Sequence, residues 1–151
     1  MRTTMVIVAA ALALAGCAEK PKIEECWSEE AKTVLKKLVA DGVIKQIKSE
    51  DQTGRLDEQQ LRKALKIELG AFMAADRNSI GVLQCGADAT STLTRDDGLV
   101  LKGGPFPFTF GIYPAEEKGP LYVIPNGLAF NSLIRDMQQS ASRGGEASGA
   151  K

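Results

Sequence analysis

Apolar residues recur at three- and four-residue spacing in the stretch that follows Ser28. The apolar stripe consists of Ala31, Val34, Leu35, Leu38 and Val39, and the opposite side carries Lys32, Lys36 and Lys37. Ser28, followed by Glu29 and Glu30, is typical of a helix N-terminus, because its hydroxyl can accept a free backbone N–H and the helix dipole favours negative charge there. The pattern predicts an amphipathic helix after Ser28, which Asp41 and Gly42 either end or interrupt.

The hydrophobic period changes after residue 64. Asp57, with Gln60 three residues later, resembles a capping box and predicts a short helix through about residue 64. Alternate apolar residues follow at Leu65, Ile67, Leu69, Ala71 and Met73, and again, beyond a turn at 76–79, at Gly81, Leu83, Cys85, Ala87 and Ala89. Alternation is typical of strands with one buried face, so we predict a hairpin. A continuous helix over 57–75 is the alternative, because Ala, Leu, Lys and Met also favour helices.

A second alternating segment is rich in aromatic residues. Its apolar positions are Phe106, Phe108, Phe110 and Ile112. The simplest interpretation is a core face on an extended strand, which Pro105 and Pro107 restrict to an edge or a bulge because proline has no N–H to donate. The other interpretation is an interaction surface on the sheet. Its residues would be Phe106, Phe108, Phe110, Tyr113 and Tyr122.

The C-terminal third completes the predicted fold. Residues 121–124 form one more short strand between prolines, and 128–139 form an amphipathic helix. Residues 140–151 are rich in Ser, Gly and Ala without an apolar anchor, so we predict a disordered tail. An N-terminal helix followed by about four mainly antiparallel strands, with a possible C-terminal helix, predicts an α+β domain over residues 26–139.

The N-terminal sixteen residues (1–16) have the organisation of an export signal, with a basic residue at position 2 and an apolar core. The apolar core is too short for a membrane-spanning helix, which needs about 20 apolar residues. The core ends at Leu14-Ala15-Gly16-Cys17. This run matches the lipobox of bacterial prolipoproteins at every position, and the chain is similar to that class here.

The resemblance implies a specific set of modifications at Cys17. A diacylglyceryl group is attached to the Cys17 sulfur, a signal peptidase cleaves after Gly16, and the new amine is acylated; no other cofactor is expected. An ordinary secretory signal cut after Ala15 or Ala18 is the alternative. With a lipid-anchored tether over 17–25, the protein would be attached to a membrane without crossing it. In enterobacterial lipoproteins Asp after the cysteine favours the inner membrane, so Ala18 favours the outer membrane, facing the periplasm.

The chain has three cysteines, and lipidation claims one of them. Cys26 and Cys85 remain as an even pair in an oxidising compartment, which predicts a disulfide between them. A zinc site is less well supported because the chain has no histidine. A reactive thiol is also less well supported, because it would need an activating environment and no partner.

Charge and residue usage exclude several function classes. With 19 basic and 19 acidic residues, the chain has no basic stripe for nucleic acid or anionic lipid. The absence of histidine excludes Ser-His-Asp and Cys-His catalysis. Residues 49–60 resemble an EF-hand loop but carry Ser49 and Gln60 where the first and last carboxylates belong, so we expect a turn and a helix cap without a metal.

The sequence therefore predicts a non-enzymatic binding or accessory protein of the cell envelope, of the assembly, pilot or inhibitor type. Its expected partners are the membrane, through the lipid, and another envelope protein. A small periplasmic ligand-binding or hydrolytic domain without histidine chemistry is the alternative. A deep pocket with ionisable residues would favour that alternative, and a filled core with an exposed apolar patch would favour the accessory role.

Overall fold

The computed structural model describes residues 21–115, 119–125 and 129–146. A 3₁₀ helix, Ile23–Trp27, comes first and is followed by α1 (Glu29–Glu50), α2 (Glu58–Ala64), β1 (Leu65–Arg77), β2 (Leu83–Thr94), β3 (Val100–Tyr113), β4 (Leu121–Val123) and α3 (Ala129–Glu146). The strands form one antiparallel sheet in the order β1-β2-β3-β4. The predicted α+β fold, a helix followed by a four-stranded antiparallel sheet and a C-terminal helix, is confirmed.

Helix α1 begins where its cap predicts and continues further than its glycine suggests. The Ser28 hydroxyl accepts the Ala31 N–H at 3.1 Å, and the helix passes Gly42 without a break. A β-carbon at Gly42 would lie 2.5 Å from the ring of Phe130, so the missing side chain lets α3 approach α1. Glycine is less favourable in a helix than alanine by about 1 kcal/mol. At this position, however, glycine allows α1 and α3 to pack closely.

The change of period at residue 64 marks a true change from helix to strand. Asp57 caps α2 by accepting the Gln60 N–H at 2.9 Å, and β1 begins directly after Ala64. Leu65 pairs with Leu93 of β2, and the ladder continues to Arg77. The predicted hairpin is therefore confirmed, and the alternative of a continuous helix over 57–75 is wrong.

The second half of β1 buries the opposite set of side chains from the predicted one. The register shifts between Gly70 and Met73, and Ala71 has a φ of 49°. An extra residue in a strand reverses which face the following side chains occupy. As a result Phe72 and Ala74 pack against the core, whereas Met73 is exposed.

The core lies between one face of the sheet and the two long helices. Strands β2 and β3 contribute Leu83, Cys85, Ala87, Ala89, Phe108, Phe110 and Ile112. Helix α1 contributes Ala31, Leu35, Val39, Val43 and Ile44, and α3 contributes Leu133, Ile134 and Met137. Each helix buries the apolar stripe that its spacing predicts, so two α-helices and a sheet form two layers around one core.

The proline-rich half of β3 has a strand neighbour on one side only. Strand β4 pairs with β3 only from Gly111 to Tyr113, and α3 packs against β3. The Lys102 N–H donates to the Ser140 hydroxyl at 3.0 Å, and the Gly104 N–H donates to Asp136 at 3.4 Å. Side chains of α3 therefore bind part of the edge that the prolines were expected to leave without a strand partner.

Two predicted boundaries differ from the structure. The predicted tether of residues 17–25 includes the first part of the 3₁₀ helix, and Pro21 is already buried. The predicted tail of 140–151 begins too early, because α3 continues to Glu146 and Ser140 holds it to β3. Residues 1–20, which include Cys17, and residues 147–151, the rest of the predicted tail, lie outside the described residues.

Candidate functional site

A disulfide joins the N-terminal segment to β2, one of the two inner strands of the sheet. Cys26 lies in the 3₁₀ helix and Cys85 in β2, with an S–S length of 2.05 Å and Cα atoms 5.7 Å apart. Both side chains are fully buried. The predicted Cys26–Cys85 bridge is confirmed, and it fixes the chain to the sheet just before α1 begins.

The region around this bridge forms one end of the molecule, which we name the tether end. It consists of the 3₁₀ helix, the β1–β2 turn at 78–82, the end of β3 at Tyr113, the start of β4 at Leu121, and the described residues 114–115 and 119–120. A row of strand partners, Arg77, Leu83, Ile112 and Tyr122, crosses the sheet here. The Arg77 guanidinium donates to the Pro21 carbonyl. The first described residue, the one nearest in sequence to Cys17, therefore lies at this end.

The predicted aromatic interaction surface is wrong for four of its five residues. Phe108, Phe110 and Tyr122 are buried, and Phe106 is half-buried against the core. These side chains belong to the core between the sheet and the helices, and α3 packs on β3. The first interpretation of the alternation, a core face, therefore describes them. Tyr113 lies on the opposite face and is 37% exposed.

Tyr122 connects β4 to the start of α1. Burial is the main cause that raises the pKa of its phenol, and the negative charge of Glu30 raises it further. A hydrogen bond with Ser28 acts in the opposite direction. The phenol is therefore neutral near pH 7, and it serves as a packing and hydrogen-bonding group at the junction of sheet and helix.

Exposed apolar side chains are concentrated at the tether end. Five of the eight large apolar residues exposed in the described part of the chain lie here: Ile23, Trp27, Ile80, Tyr113 and Leu121. Ile80 lies in the β1–β2 turn and is 71% exposed. Only Tyr113 was among the predicted surface residues. Ile80 could have been found from the sequence, because a large aliphatic residue inside the polar turn Asn78-Ser79-Ile80-Gly81 has no predicted core to enter.

The opposite end of the molecule, which we name the distal end, holds an open groove. Its volume is about 500 Å³. The groove lies among the end of α1, α2 and the β2–β3 turn. Its apolar floor includes Ile47, Leu61 and Leu93, and its rim includes Asp57 and Arg95. Such a groove fits a small ligand or a peptide side chain with an apolar body and a polar end.

Two of the charged residues of the β2–β3 turn pair with one another. Arg95 forms an ion pair with Asp97 at 2.9 Å, and both side chains are about half exposed. Neighbouring opposite charges cancel much of each other's field in water. The rim as a whole keeps a net negative charge, because Asp57, Asp96 and Asp97 outnumber the single Arg95.

The loop between α1 and α2, which resembles an EF-hand, is organised by Asp51. One carboxylate oxygen accepts the Thr53 N–H at 3.0 Å and the Thr53 hydroxyl at 2.6 Å, and the other accepts the Leu56 N–H at 2.9 Å. The Thr53 hydroxyl is the main cause that lowers the pKa of Asp51, followed by the Leu56 N–H. The loop is a turn followed by the α2 cap, and the Asp51 carboxylate binds its own backbone.

An ion-pair network joins α1 and α2 on the surface. Arg62 pairs with Asp41 and, at 2.8 Å, with Glu58, which also lies 3.4 Å from the Lys48 ammonium. The Arg62 hydrogen bond is the main cause that lowers the pKa of Glu58. The pKa of Arg62 is raised mainly by its hydrogen bond to Asp41. All four side chains are exposed by more than a third, so the network orients α2 more than it stabilises the fold.

No protein-family model, curated protein or solved structure matches this chain. Among the residues that the structure describes, no helix is both long and apolar enough to span a bilayer. In the same residues no group of three or more His, Cys, Asp or Glu side chains is arranged to hold a metal ion.

Proposed function

We propose that this chain is a lipid-anchored bacterial lipoprotein that faces the periplasm, most simply from the outer membrane, and acts as a non-enzymatic accessory protein of the cell envelope. Its partner would be another envelope protein, in an assembly, pilot or inhibitor role. The observation that carries the proposal is the pairing of Cys26 with Cys85, which accounts for two of the three cysteines and leaves Cys17 of the lipobox Leu14-Ala15-Gly16-Cys17 as the third.

The chemistry of these cysteines supports the proposed compartment. Disulfides persist in oxidising compartments such as the periplasm and are rare in the cytosol. A lipobox cysteine is modified outside the cytoplasm, and two or three acyl chains, at about 0.8 kcal/mol per buried methylene, hold a protein on a bilayer durably. Both requirements point to an exported and anchored protein.

The non-enzymatic role is supported by the filled core and by the arrangement of polar groups. The aromatic side chains of β3 occupy the space between sheet and helices. The groove at the distal end carries acids and one arginine on an exposed turn, without the close nucleophile and base that covalent catalysis uses. An apolar tether end and an open distal groove favour binding over chemistry.

Replacing the anchor cysteine tests the proposal. The Cys17→Ser variant should lose incorporation of labelled palmitate and move from the membrane to the periplasmic fraction, because serine offers no thiolate for the lipid. The matched control is the double variant Cys26→Ser and Cys85→Ser, which should keep the label. Palmitate on the Cys17→Ser variant would contradict lipid anchoring.

The accessory role has its own test. A photo-crosslinking residue at Gln60, on the groove, should capture one envelope protein repeatedly, and the same residue at exposed Lys66 on β1 should not. Loss of this capture in Ala64→Trp, whose larger side chain would fill the groove, would support recognition in the groove. Equal capture from both positions would contradict a specific partner at the distal end.

The groove also favours a second candidate, a small ligand-binding domain. Its volume of about 500 Å³ is within the range of ligand pockets. Native mass spectrometry of the protein purified from membranes separates the two candidates. A small molecule that is retained by the wild type and absent from Ala64→Trp would favour ligand binding, and a bare protein mass would favour the accessory role.

A further inference from the structure

We propose that the tether end is a membrane-contact surface, on which Ile23, Trp27, Ile80, Tyr113 and Leu121 rest against the lipid bilayer and hold the domain end-on to it. The inference rests on the proposed lipid attachment at Cys17. It adds an orientation, a lipid-facing surface and a free distal end to that attachment.

The five side chains come from three segments that the topology brings to the same end. Ile80 lies in the turn that joins β1 to β2, and Tyr113 and Leu121 are register partners at the end of β3 and the start of β4. Ile23 and Trp27 lie in the 3₁₀ helix, which the disulfide and the Arg77–Pro21 hydrogen bond hold at this end. The surface is thus built on fixed elements.

The length of chain between Cys17 and Pro21 limits where the bilayer can be. Three residues, 18–20, separate the two. Four residue steps span at most about 14 Å even when fully extended. Pro21 is buried at the tether end, so an acylated Cys17 must place this end within that distance of the lipid headgroups.

The rest of the molecule cannot share this contact when the domain stands end-on. Strand β2 has 12 residues, which at about 3.3 Å per residue separates the two ends by about 40 Å. The distal end exposes Leu56, which lines the groove, and Val100, at the start of β3. The larger number of exposed apolar side chains lies at the end that the tether brings to the membrane.

The residue types suit a lipid surface of low charge. Tryptophan and tyrosine favour the membrane interface because each has an apolar body and a polar group, and aliphatic residues favour the acyl boundary. Charged groups of both signs surround them: Lys22, Glu24, Glu25, Asp76 and Arg77. Mixed charge gives little attraction to anionic headgroups, so the contact depends on apolar burial.

The single tryptophan of the chain, Trp27, reports on this contact directly. The acylated full-length protein is reconstituted into vesicles of phosphatidylethanolamine and phosphatidylglycerol, in which part of the lipid carries brominated acyl chains. We expect Trp27 emission to shift to shorter wavelength and to be quenched, compared with the Cys17→Ser protein in solution. The quenching should be the same when phosphatidylglycerol is omitted, and loss of quenching on omission would contradict an apolar contact.

A matched pair of variants tests the orientation. In a Trp27→Phe background, Ile80→Trp places the reporter at the tether end and Val100→Trp places it at the distal end, both at exposed positions that tolerate a larger side chain. Brominated lipid should quench the first and leave the second unchanged. Equal quenching of both, or quenching of the second alone, would overturn the end-on contact.

Mass spectrometry of the same samples separates the two proposals. No acyl mass at Cys17 would overturn the proposed function and the contact with it. Acylated protein whose Trp27 is not quenched by brominated lipid would overturn the contact alone.

Discussion

The tether end and the distal end of this domain are built in different ways. At the tether end a disulfide joins Cys26 to Cys85, and five large apolar side chains are exposed around it. At the distal end the elements are held by packing and hydrogen bonds, and the exposed turn pairs Arg95 with Asp97 beside an open groove. One end is covalently fixed and apolar, and the other is non-covalent and polar.

This difference suits a protein whose two ends meet different surroundings. The proposed lipid tether at Cys17 would position the domain on the membrane only if the first described residues stay attached to the fold. The disulfide supplies that link, because it fixes the segment before α1 to the central strand β2. In the proposed orientation the distal end would project away from the bilayer, where its groove would be accessible to the proposed partner.

Removing the disulfide is the strongest test of this contrast. The double variant Cys26→Ala and Cys85→Ala opens a loop with a sequence separation of 59 residues. In the chain-entropy model the free energy of unfolding should fall by about 4 kcal/mol. Urea unfolding measures the loss, and hydrogen exchange should increase first in Ile23–Trp27 and last in α2.

The matched control for this variant is Cys17→Ser, which leaves the pair intact. It should unfold at the same urea concentration as the wild-type domain. A double variant that is as stable as wild type, or that loosens α2 before the 3₁₀ helix, would show that the tether end does not depend on its covalent link.

The sequence predicts most of the fold because the hydrophobic period is local information. The spacing of apolar residues changes from three or four to two, and this change predicts where α2 ends and β1 begins. The caps at Ser28 and Asp57 predict where α1 and α2 begin. The disulfide followed from counting cysteines once Cys17 was assigned to lipid. Each of these features depends on neighbouring residues or on composition, so no tertiary information was needed.

The features that the sequence did not predict depend on tertiary contacts. The reversal of side chains after Gly70 comes from a bulge in the pairing with β2, and the extension of α3 past residue 139 comes from its packing on β3. The apolar tether end is formed by Ile23, Ile80 and Leu121, which are far apart in sequence. Their common position appears only when the strand register is known.

A second test concerns the non-covalent half of the molecule, where α3 packs on β3. A β-carbon at Gly103 would lie 2.4 Å from the Leu133 carbonyl oxygen and 2.9 Å from the Ser91 hydroxyl. Gly103→Ala must therefore move α3 away from the strand, and overpacking of this kind costs about 2 kcal/mol. Thermal and urea unfolding should both show the loss.

The matched control for this substitution is Gly70→Ala in β1, where a β-carbon meets nothing within 4 Å. Its stability should stay within about 0.5 kcal/mol of wild type. If Gly103→Ala were equally harmless, α3 would not be closely packed on β3. The distal half would then need another source of order.

The smallest expected effect is a pH-dependent one in the loop beside the groove. Hydrogen bonds from the Thr53 hydroxyl and the Leu56 N–H lower the pKa of Asp51 in the folded protein. A lowered folded-state pKa stabilises the fold at every pH above the unfolded-state pKa, and this stabilisation disappears as the pH falls through the folded-state pKa. Wild type should therefore be slightly more stable than Asp51→Asn at neutral pH, and the difference should vanish in strong acid.

Urea unfolding of both proteins across the acid range measures this difference, with Thr53→Val as the control that removes the main donor and keeps the carboxylate. That control should show a smaller change of stability with pH than wild type, because the pKa of Asp51 then lies closer to its ordinary value. A difference between wild type and Asp51→Asn that persists unchanged in strong acid would mean that the charge of Asp51 does not organise the loop. The distal end would then owe its shape to the α2 cap and to packing alone.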